Sequence, residues 1–163
     1  MFHTGDYVMY AGSGLCLVEN VGVPSFQAAN SPDYYFLRKA SDNSRIYVPV
    51  DTLLPIRSPM TREEAERLLS DLRGLRPALP EKRDQKTIVR VCREALQQQT
   101  VHAAAQVIQL LHAVHPNGKI SGAEETLLKK AECALREELA YALCITATEA
   151  DCKLRAALQG GEE

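Results

Sequence analysis

The sequence predicts an α+β protein, in which a small bent β-sheet is followed by a bundle of about five helices. Up to residue 55, short runs rich in Val, Leu, Tyr and Ile are separated by tight polar turns, which is typical of β-hairpins. From residue 61 onward, apolar residues recur at helical spacing behind helix-capping signals. We therefore expect a β domain at 1–55, a linker at 56–60, a helical domain at 61–158 and a tail at 159–163.

Four strands are expected in the β domain, with room for a fifth. The segments 6–11 and 15–21 form one hairpin around Gly12-Ser13-Gly14, and 33–40 and 45–50 form another around residues 41–44. Residues 22–32 form a longer loop. Because Pro49 has no backbone N–H, the strand 45–50 lacks one ladder donor and belongs at a sheet edge. So many short strands in so few residues favour a small sheet or barrel of the SH3 or Tudor kind.

Five helices are expected in the second half, near 61–73, 82–98, 101–114, 122–141 and 148–158. Two begin at capping boxes, in which a hydroxyl and a carboxylate three residues later bind backbone N–H groups at the helix start. These boxes are Thr61 with Glu64 and Ser121 with Glu124. Thr148 with Asp151 has the same spacing and predicts a looser version before the last helix.

Positive charge is concentrated in one segment of a chain whose formal net charge is −2. Residues 73–93 contain seven basic and two acidic side chains, which gives this segment a net charge of +5. In the second predicted helix, the basic positions lie opposite the apolar ones: Arg83, Lys86, Arg90 and Arg93 against Ile88, Val91, Cys92, Ala95 and Leu96. Such a face neutralises phosphates without reading sequence, or it is a solvated helix face with no partner.

No arrangement of residues predicts catalysis, so a binding protein without cofactor, metal or small-molecule substrate is expected. His112 and His115 have near-ligand spacing, but a pair at a helix end is favoured over a metal site because no third ligand is close in sequence. The glycines at 12 and 14 precede a strand and not a helix, which excludes a phosphate loop. Cys92 lies on an apolar helix face and is expected to be inert.

Four tyrosines in the predicted strands leave two interpretations open. Tyr10, Tyr34, Tyr35 and Tyr47 could line an aromatic cage for a methylated lysine. Packing within the small barrel is the favoured alternative.

The remaining composition favours a cytoplasmic protein with no membrane contact. The five cysteines are odd in number and never form a Cys-x-x-Cys pair, which argues against a disulfide framework and a zinc ribbon. The first residues resemble no secretion signal. The apolar runs are far shorter than the roughly 20 residues of a membrane span.

Several motifs resemble the CarD/CdnL family of bacterial transcription regulators. They are Phe2-x-x-Gly5-Asp6-Tyr7-Val8-Met9-Tyr10, Gly14-x-Cys16-x-Val18, Tyr35-Phe36-Leu37, Ile46-Tyr47-Val48-Pro49-Val50 and, in the helical half, Ile120-Ser121-x-x-Glu124. The β half is also similar to the polymerase-binding module of transcription-repair coupling factor. The resemblance extends over about residues 2–158.

The resemblance implies that a Tudor-like β domain pairs edge to edge with the β subunit of bacterial RNA polymerase. This agrees with the edge strand inferred from Pro49, because strand addition uses unpaired backbone groups. The residues implied at this contact are Arg45, Ile46, Tyr47, Val48 and Pro49.

For the helical half, the resemblance implies contact with promoter DNA that modulates transcription initiation, largely through phosphates and without strong sequence specificity. The residues implied there are Lys82, Arg83, Gln85, Lys86, Arg90 and Arg93. Family members typically carry a tryptophan wedge at the start of this helix, whereas this chain has no tryptophan and places Gln85 there. A glutamine can hydrogen bond to a base edge but supplies no apolar wedge.

A second hypothesis is a protein-only adaptor whose helical half docks another protein and never meets DNA. The missing tryptophan and the acidic remainder of the chain favour it.

Overall fold

The computed structural model describes residues 1–10, 13–74 and 77–159. The chain divides into two compact units, with the boundary between Pro59 and Met60. Outside the described residues lie Ala11 of the predicted first strand, Gly12 of the predicted first turn, Arg76 of the basic segment and residues 160–163 of the predicted tail.

The amino-terminal unit is a curled antiparallel half-barrel of five strands, as the sequence predicted. The strands are β1 (Tyr7–Tyr10), β2 (Gly14–Gly22), β3 (Tyr34–Lys39), β4 (Arg45–Pro49) and β5 (Ile56–Arg57). Their order in the sheet is β4-β3-β2-β1-β5. The strand that contains Pro49 therefore lies at an edge, which confirms the inference from its missing N–H.

The core of the β unit is small and comes from alternating strand positions. Its buried members are Val8, Cys16, Val18, Tyr35, Leu37 and Val48. In β3, Tyr35 and Leu37 point into this core, so Tyr34 and Phe36 project from the opposite face of the strand. The register between β2 and β3 shifts around Glu19, where one extra residue of β2 forms a β-bulge.

The segment 56–60, predicted as a linker, contains regular structure at its start and a buried residue at its end. Ile56 and Arg57 form β5, which pairs with Tyr10 and Met9 of β1. Met60 is buried in the core of the helical unit, and its N–H donates to the buried Glu138 carboxylate at 2.7 Å. A strand of two residues is too short to show a period of two, so the sequence pattern could not reveal it.

Over its described residues, the carboxy-terminal unit is a bundle of five helices. They are α1 (Arg62–Gly74), α2 (Gln85–Gln97), α3 (Val101–Val114), α4 (Gly122–Leu143) and α5 (Ala147–Gln159). Leu127, Leu135 and Leu139 of α4 are buried at helical spacing in the core, where they meet residues from all the other helices.

Two helix starts differ from the sequence prediction. The helix α2 begins at Gln85, because the Asp84 side chain caps it by accepting from the Thr87 N–H, so Lys82 and Arg83 precede the helix. The helix α5 is capped by Thr146 with Glu149 and not by Thr148 with Asp151: Thr146 N–H donates to Glu149 at 2.8 Å, and Glu149 N–H donates to Thr146 at 3.2 Å. The longer glutamate side chain reaches back to the cap, as this box requires.

At the start of each of the five helices, a backbone N–H group donates to the side-chain oxygen of the capping residue. The predicted boxes of Thr61 with Glu64 and of Ser121 with Glu124 are both formed. Thr100 caps α3 by accepting from the Ala103 N–H. Among the described residues, no helix is long and apolar enough to cross a membrane.

Candidate partner-binding surfaces

The strand β4 presents backbone groups along its outer side, and the register shows which ones. Val50 N–H donates to Asp33 C=O at 3.0 Å, and Lys39 N–H donates to Ser44 C=O at 2.8 Å. In an antiparallel ladder, hydrogen-bonded pairs alternate along the strands. Ile46 and Val48 therefore bond to Leu37 and Tyr35 of β3, and the N–H and C=O groups of Arg45 and Tyr47 point away from the sheet.

This open edge ends at Pro49, by two separate means. The ring of Pro49 removes its N–H, and its C=O accepts from the Thr52 N–H at 3.0 Å. Within the described β unit, the outward backbone groups of β4 are thus confined to Arg45 and Tyr47, which have no strand partner there.

The side chains of β4 divide between the two faces of the sheet. Val48 is buried, and Ile46 packs against the same core. Arg45 and Tyr47 are exposed on the outer face. Of the five residues implied at the polymerase contact, Arg45 and Tyr47 combine an outward backbone with an accessible side chain, and Ile46 and Val48 hold the strand in place.

An aromatic cluster lies beside the open edge, and the sequence analysis missed its most exposed member. The Phe26 ring, from the loop between β2 and β3, lies 5.1 Å from the Tyr47 ring and 6.5 Å from the Tyr34 ring. The Phe36 ring also contacts Tyr47, with 5.1 Å between the ring centroids. Phe26 is 62% exposed, so this cluster presents a ring to solvent. The pairing of Phe36 with Tyr47 was readable from the strand period, but the position of Phe26 depends on the loop.

A carboxylate at the β-bulge orders the basic side chains of the same face. Glu19 binds the Arg38 guanidinium, and Arg45 Nε lies 3.8 Å from the other oxygen of Glu19. The Arg45 side chain remains 66% exposed. The outer face around β4 therefore combines aromatic rings with two arginines that share one carboxylate, a composition enriched at protein interfaces.

The four tyrosines considered for an aromatic cage do not come together. Tyr35 is a buried core residue, and Tyr10 packs against the same core. Tyr34 and Tyr47 lie on the outer face, where both approach Phe26. Packing within the barrel is thus confirmed for two of them, and the other two belong to the aromatic cluster.

The basic side chains cluster at the start of α2 and along its exposed face. Lys82 and Arg83 lie in the segment before the helix, Gln85 is the first helical residue, and Lys86, Arg90 and Arg93 follow at helical spacing; all six are exposed. Ile88 and Cys92 are buried on the opposite side. The amphipathic arrangement expected from the sequence is present, although Arg83 lies outside the helix.

The cationic face of α2 is less uniform than the sequence analysis assumed. Arg90 Nη1 lies 3.5 Å from Glu94 Oε1, one turn further along. Both side chains are about 60% exposed, so this surface pair is weak and readily exchanged.

A polar cluster inside the helical unit is structural. The Glu124 carboxylate is buried, accepts from the Ser121 N–H at 2.9 Å and lies 3.1 Å from His115 Nε2. Burial acts to raise the pKa of Glu124, but the hydrogen bonds from Ser121 and His115 lower it overall. Burial, together with this carboxylate, raises the pKa of the Cys92 thiol to about 11, so Cys92 carries no reactive thiolate near neutral pH. No metal-binding group of three His, Cys, Asp or Glu side chains occurs in the part of the chain that the structure describes.

Comparison with known protein families identifies the β unit. Residues 2–59 match the model of the CarD-like/TRCF RID domain. The matched range coincides with the first compact unit and ends before α1. Comparison with curated proteins finds no match to the chain.

The match confirms the resemblance deduced from the strand motifs, and the helical unit lies outside the matched range. Domains of this kind are non-enzymatic interaction domains with a role in transcription. The amino-terminal unit, with its open β4 edge, therefore belongs to the CarD-like/TRCF family of RNA polymerase-interacting domains.

Proposed function

We propose that this chain is a CarD-like transcription regulator that binds the RNA polymerase β subunit through β4 and contacts promoter DNA through the basic segment around α2. The observation that carries the proposal is the open edge of β4 on an RNA polymerase-interacting domain. Binding to both partners would modulate transcription initiation.

The polymerase contact is supported by the arrangement of β4. An incoming strand gains main-chain hydrogen bonds at Arg45 and Tyr47, while exposed side chains beside the edge supply specificity. Tyr47 and Phe26 provide large rings, and such residues often dominate binding energy. The buried side chain of Val48 and the partly buried side chain of Ile46 hold this edge in shape before any partner arrives.

The DNA contact is supported by the position and exposure of the basic residues. Lys86, Arg90 and Arg93 project from one face of α2, and Lys82 and Arg83 extend that charge beyond its amino terminus. Long basic side chains at this spacing suit a row of phosphates, which gives affinity that falls with salt and carries little sequence information. Gln85 is the exposed first residue of α2, and its side-chain amide is the group that would hydrogen bond to a base edge.

The proposal is tested in two separate binding measurements with the full chain. Binding to purified polymerase β subunit is expected, and a folded chain that fails to bind would contradict the polymerase contact. Binding to forked promoter DNA is expected to weaken steeply as salt rises. DNA affinity that does not respond to salt would contradict the phosphate contact.

A protein-only adaptor is the second candidate function, and the Arg90–Glu94 pair favours it. A carboxylate on the basic face repels phosphates but suits a protein partner with mixed charges. In the same salt titration, this candidate predicts polymerase binding with no measurable DNA binding at any salt concentration.

A further inference from the structure

The loop between β2 and β3 holds one aromatic ring in a defined position beside the open edge of β4. Pro24 in this loop is buried, and its C=O accepts from the Gln27 N–H at 3.0 Å, which closes a turn around Phe26. The Phe26 ring packs edge to face with the rings of Tyr34 and Tyr47. Because Phe26 is 62% exposed, more than half of its surface is open to a partner.

Phe26 lies at the Pro49 end of the β4 edge. Tyr34 pairs with Pro49, and Phe26 contacts the ring of Tyr34 as well as that of Tyr47, whose backbone points outward from the sheet. In an antiparallel pair, side chains of directly opposed residues stand on the same face. A strand added at Tyr47 therefore directs a side chain to the face that carries Phe26, and its neighbour two residues along, beside Pro49, points the same way.

Two acidic residues lie at the same end of the sheet. Asp33 precedes Tyr34 and Asp51 follows Val50, and the Val50 N–H donates to the Asp33 C=O at 3.0 Å. Both aspartates are exposed, and neither carboxylate forms an ion pair within the described residues. No lysine or arginine occurs at positions 22–34 or 46–56, so the charge of these two segments is purely negative.

The other end of β4 carries the opposite charge. Arg38 and Arg45 share the Glu19 carboxylate, and Lys39 lies 3.7 Å from Asp42. These three basic and two acidic side chains give a net charge of +1, against −2 from the two aspartates at the Pro49 end. An added segment that complements both ends of the edge therefore carries a basic side chain at the Pro49 end.

We propose that Phe26, Asp33 and Asp51 form a site for a lysine or arginine side chain of the polymerase β subunit, continuous with the β4 edge. The aliphatic stem of that side chain lies against the Phe26 ring, and the ring and the two carboxylates attract its charge. This inference rests on the proposed polymerase contact and adds to it the chemistry of one partner residue and its place beyond Tyr47.

The test measures binding of the full chain to the polymerase β subunit at low and at high salt. Phe26→Leu keeps an apolar side chain but removes the aromatic ring, and should weaken binding about three- to tenfold, whereas Phe26→Tyr should bind like the original chain. Asp33→Asn/Asp51→Asn should weaken binding about three- to tenfold at low salt and less at high salt, because salt screens exposed charges. The unfolding temperature of this double variant should not change, since Asp33 binds Val50 through its backbone.

Glu63→Gln/Asp71→Asn is the matched control, because it removes two exposed carboxylates from α1 of the helical unit. It should bind the β subunit like the original chain, and an equal loss would assign the effect to net charge and overturn the site. The proposal requires both losses at low salt. If either Phe26→Leu or the Asp33/Asp51 variant binds like the original chain, the site for a basic side chain is overturned while the β4 contact stands. No binding by the original chain would overturn the proposed function itself.

Discussion

The two units expose different parts of the polypeptide to their proposed partners. In the β unit, the backbone of Arg45 and Tyr47 points outward from a sheet edge. In the helical unit, the helix hydrogen bonds occupy the backbone, and side-chain oxygens bind N–H groups at all five helix starts. Recognition by the helical unit must therefore depend on side chains. A backbone contact fixes the position of the partner strand, whereas a charged face selects only the sign of the partner's charge.

The largest effect should come from removing an outward N–H of β4. We expect Tyr47→Pro to weaken polymerase β-subunit binding by about a hundredfold, because it removes a main-chain donor and places a ring in the path of an added strand. The fold should persist, since that N–H is not part of the β3–β4 ladder. Tyr47→Ala retains the donor and should lose only about tenfold. Equal losses for the two variants in a titration would show that the backbone is not the binding element.

DNA binding by the helical unit should instead depend on the charge of the α2 side chains. The double variant Lys86→Glu/Arg90→Glu should weaken DNA binding by about ten- to a hundredfold at low salt and reduce the slope of log affinity against log salt by about two. Polymerase binding should be unchanged. Lys129→Glu/Lys130→Glu on α4 makes the same charge change at two exposed positions and serves as the control. A similar loss in this control would assign the effect to net charge and not to the α2 face.

The internal carboxylate of the helical unit should make its stability depend on pH. Because the folded pKa of Glu124 lies below the ordinary 4.5, its contribution is present above about pH 4.5 and is lost as the pH falls through the lowered value. Glu124→Gln should therefore cost about 1–2 kcal/mol at pH 7, and less in acid. The measurement is denaturant unfolding at pH 7 and pH 3.

The control for this variant is Glu125→Gln, which breaks an exposed pair with Lys129 at 2.9 Å. It should cost at most about 0.5 kcal/mol. A Glu124→Gln variant as stable as this control at pH 7 would contradict the structural role of the buried carboxylate.

The smallest expected effect is the difference in the free energy of unfolding between variants of two threonines at the start of α5. Thr146→Ala should lower the free energy of unfolding by about 1 kcal/mol, because it removes the side chain that accepts from Glu149 N–H. Thr148→Ala should stay within about 0.5 kcal/mol. Thermal unfolding of the two variants side by side checks the difference, and the reverse order would contradict the assigned helix start.

The sequence predicted those parts of the molecule that depend on local rules. Pro49 placed β4 at an edge through its missing N–H, and the helical period placed Ile88 opposite Lys86. The boxes at Thr61 and Ser121 follow from spacing alone. The capping-box spacing predicted the wrong threonine at α5, because Thr146 and Thr148 both have a carboxylate three residues later. Thr146 is the cap, since its partner Glu149 has the longer side chain.

The parts that could not be predicted depend on contacts between distant segments. Phe26 reaches Tyr47 from a long loop, whose path follows no period. The bulge at Glu19 becomes visible only when the register of β2 against β3 is known. Lys82 and Arg83 were assigned to α2 because Arg83 continues the helical spacing of Lys86 and Arg90, but the Asp84 cap determines where that helix begins.

Pro49 has one further consequence, which concerns copies of the chain itself. An open sheet edge can pair with the same edge of a neighbouring molecule, and such pairing can start aggregation. In an antiparallel pair of two β4 strands centred on Tyr47, Pro49 of each copy lies opposite Arg45 of the other and offers it no N–H. Such a pair gains main-chain hydrogen bonds only at Tyr47, whereas a segment of another chain can gain them at both Arg45 and Tyr47.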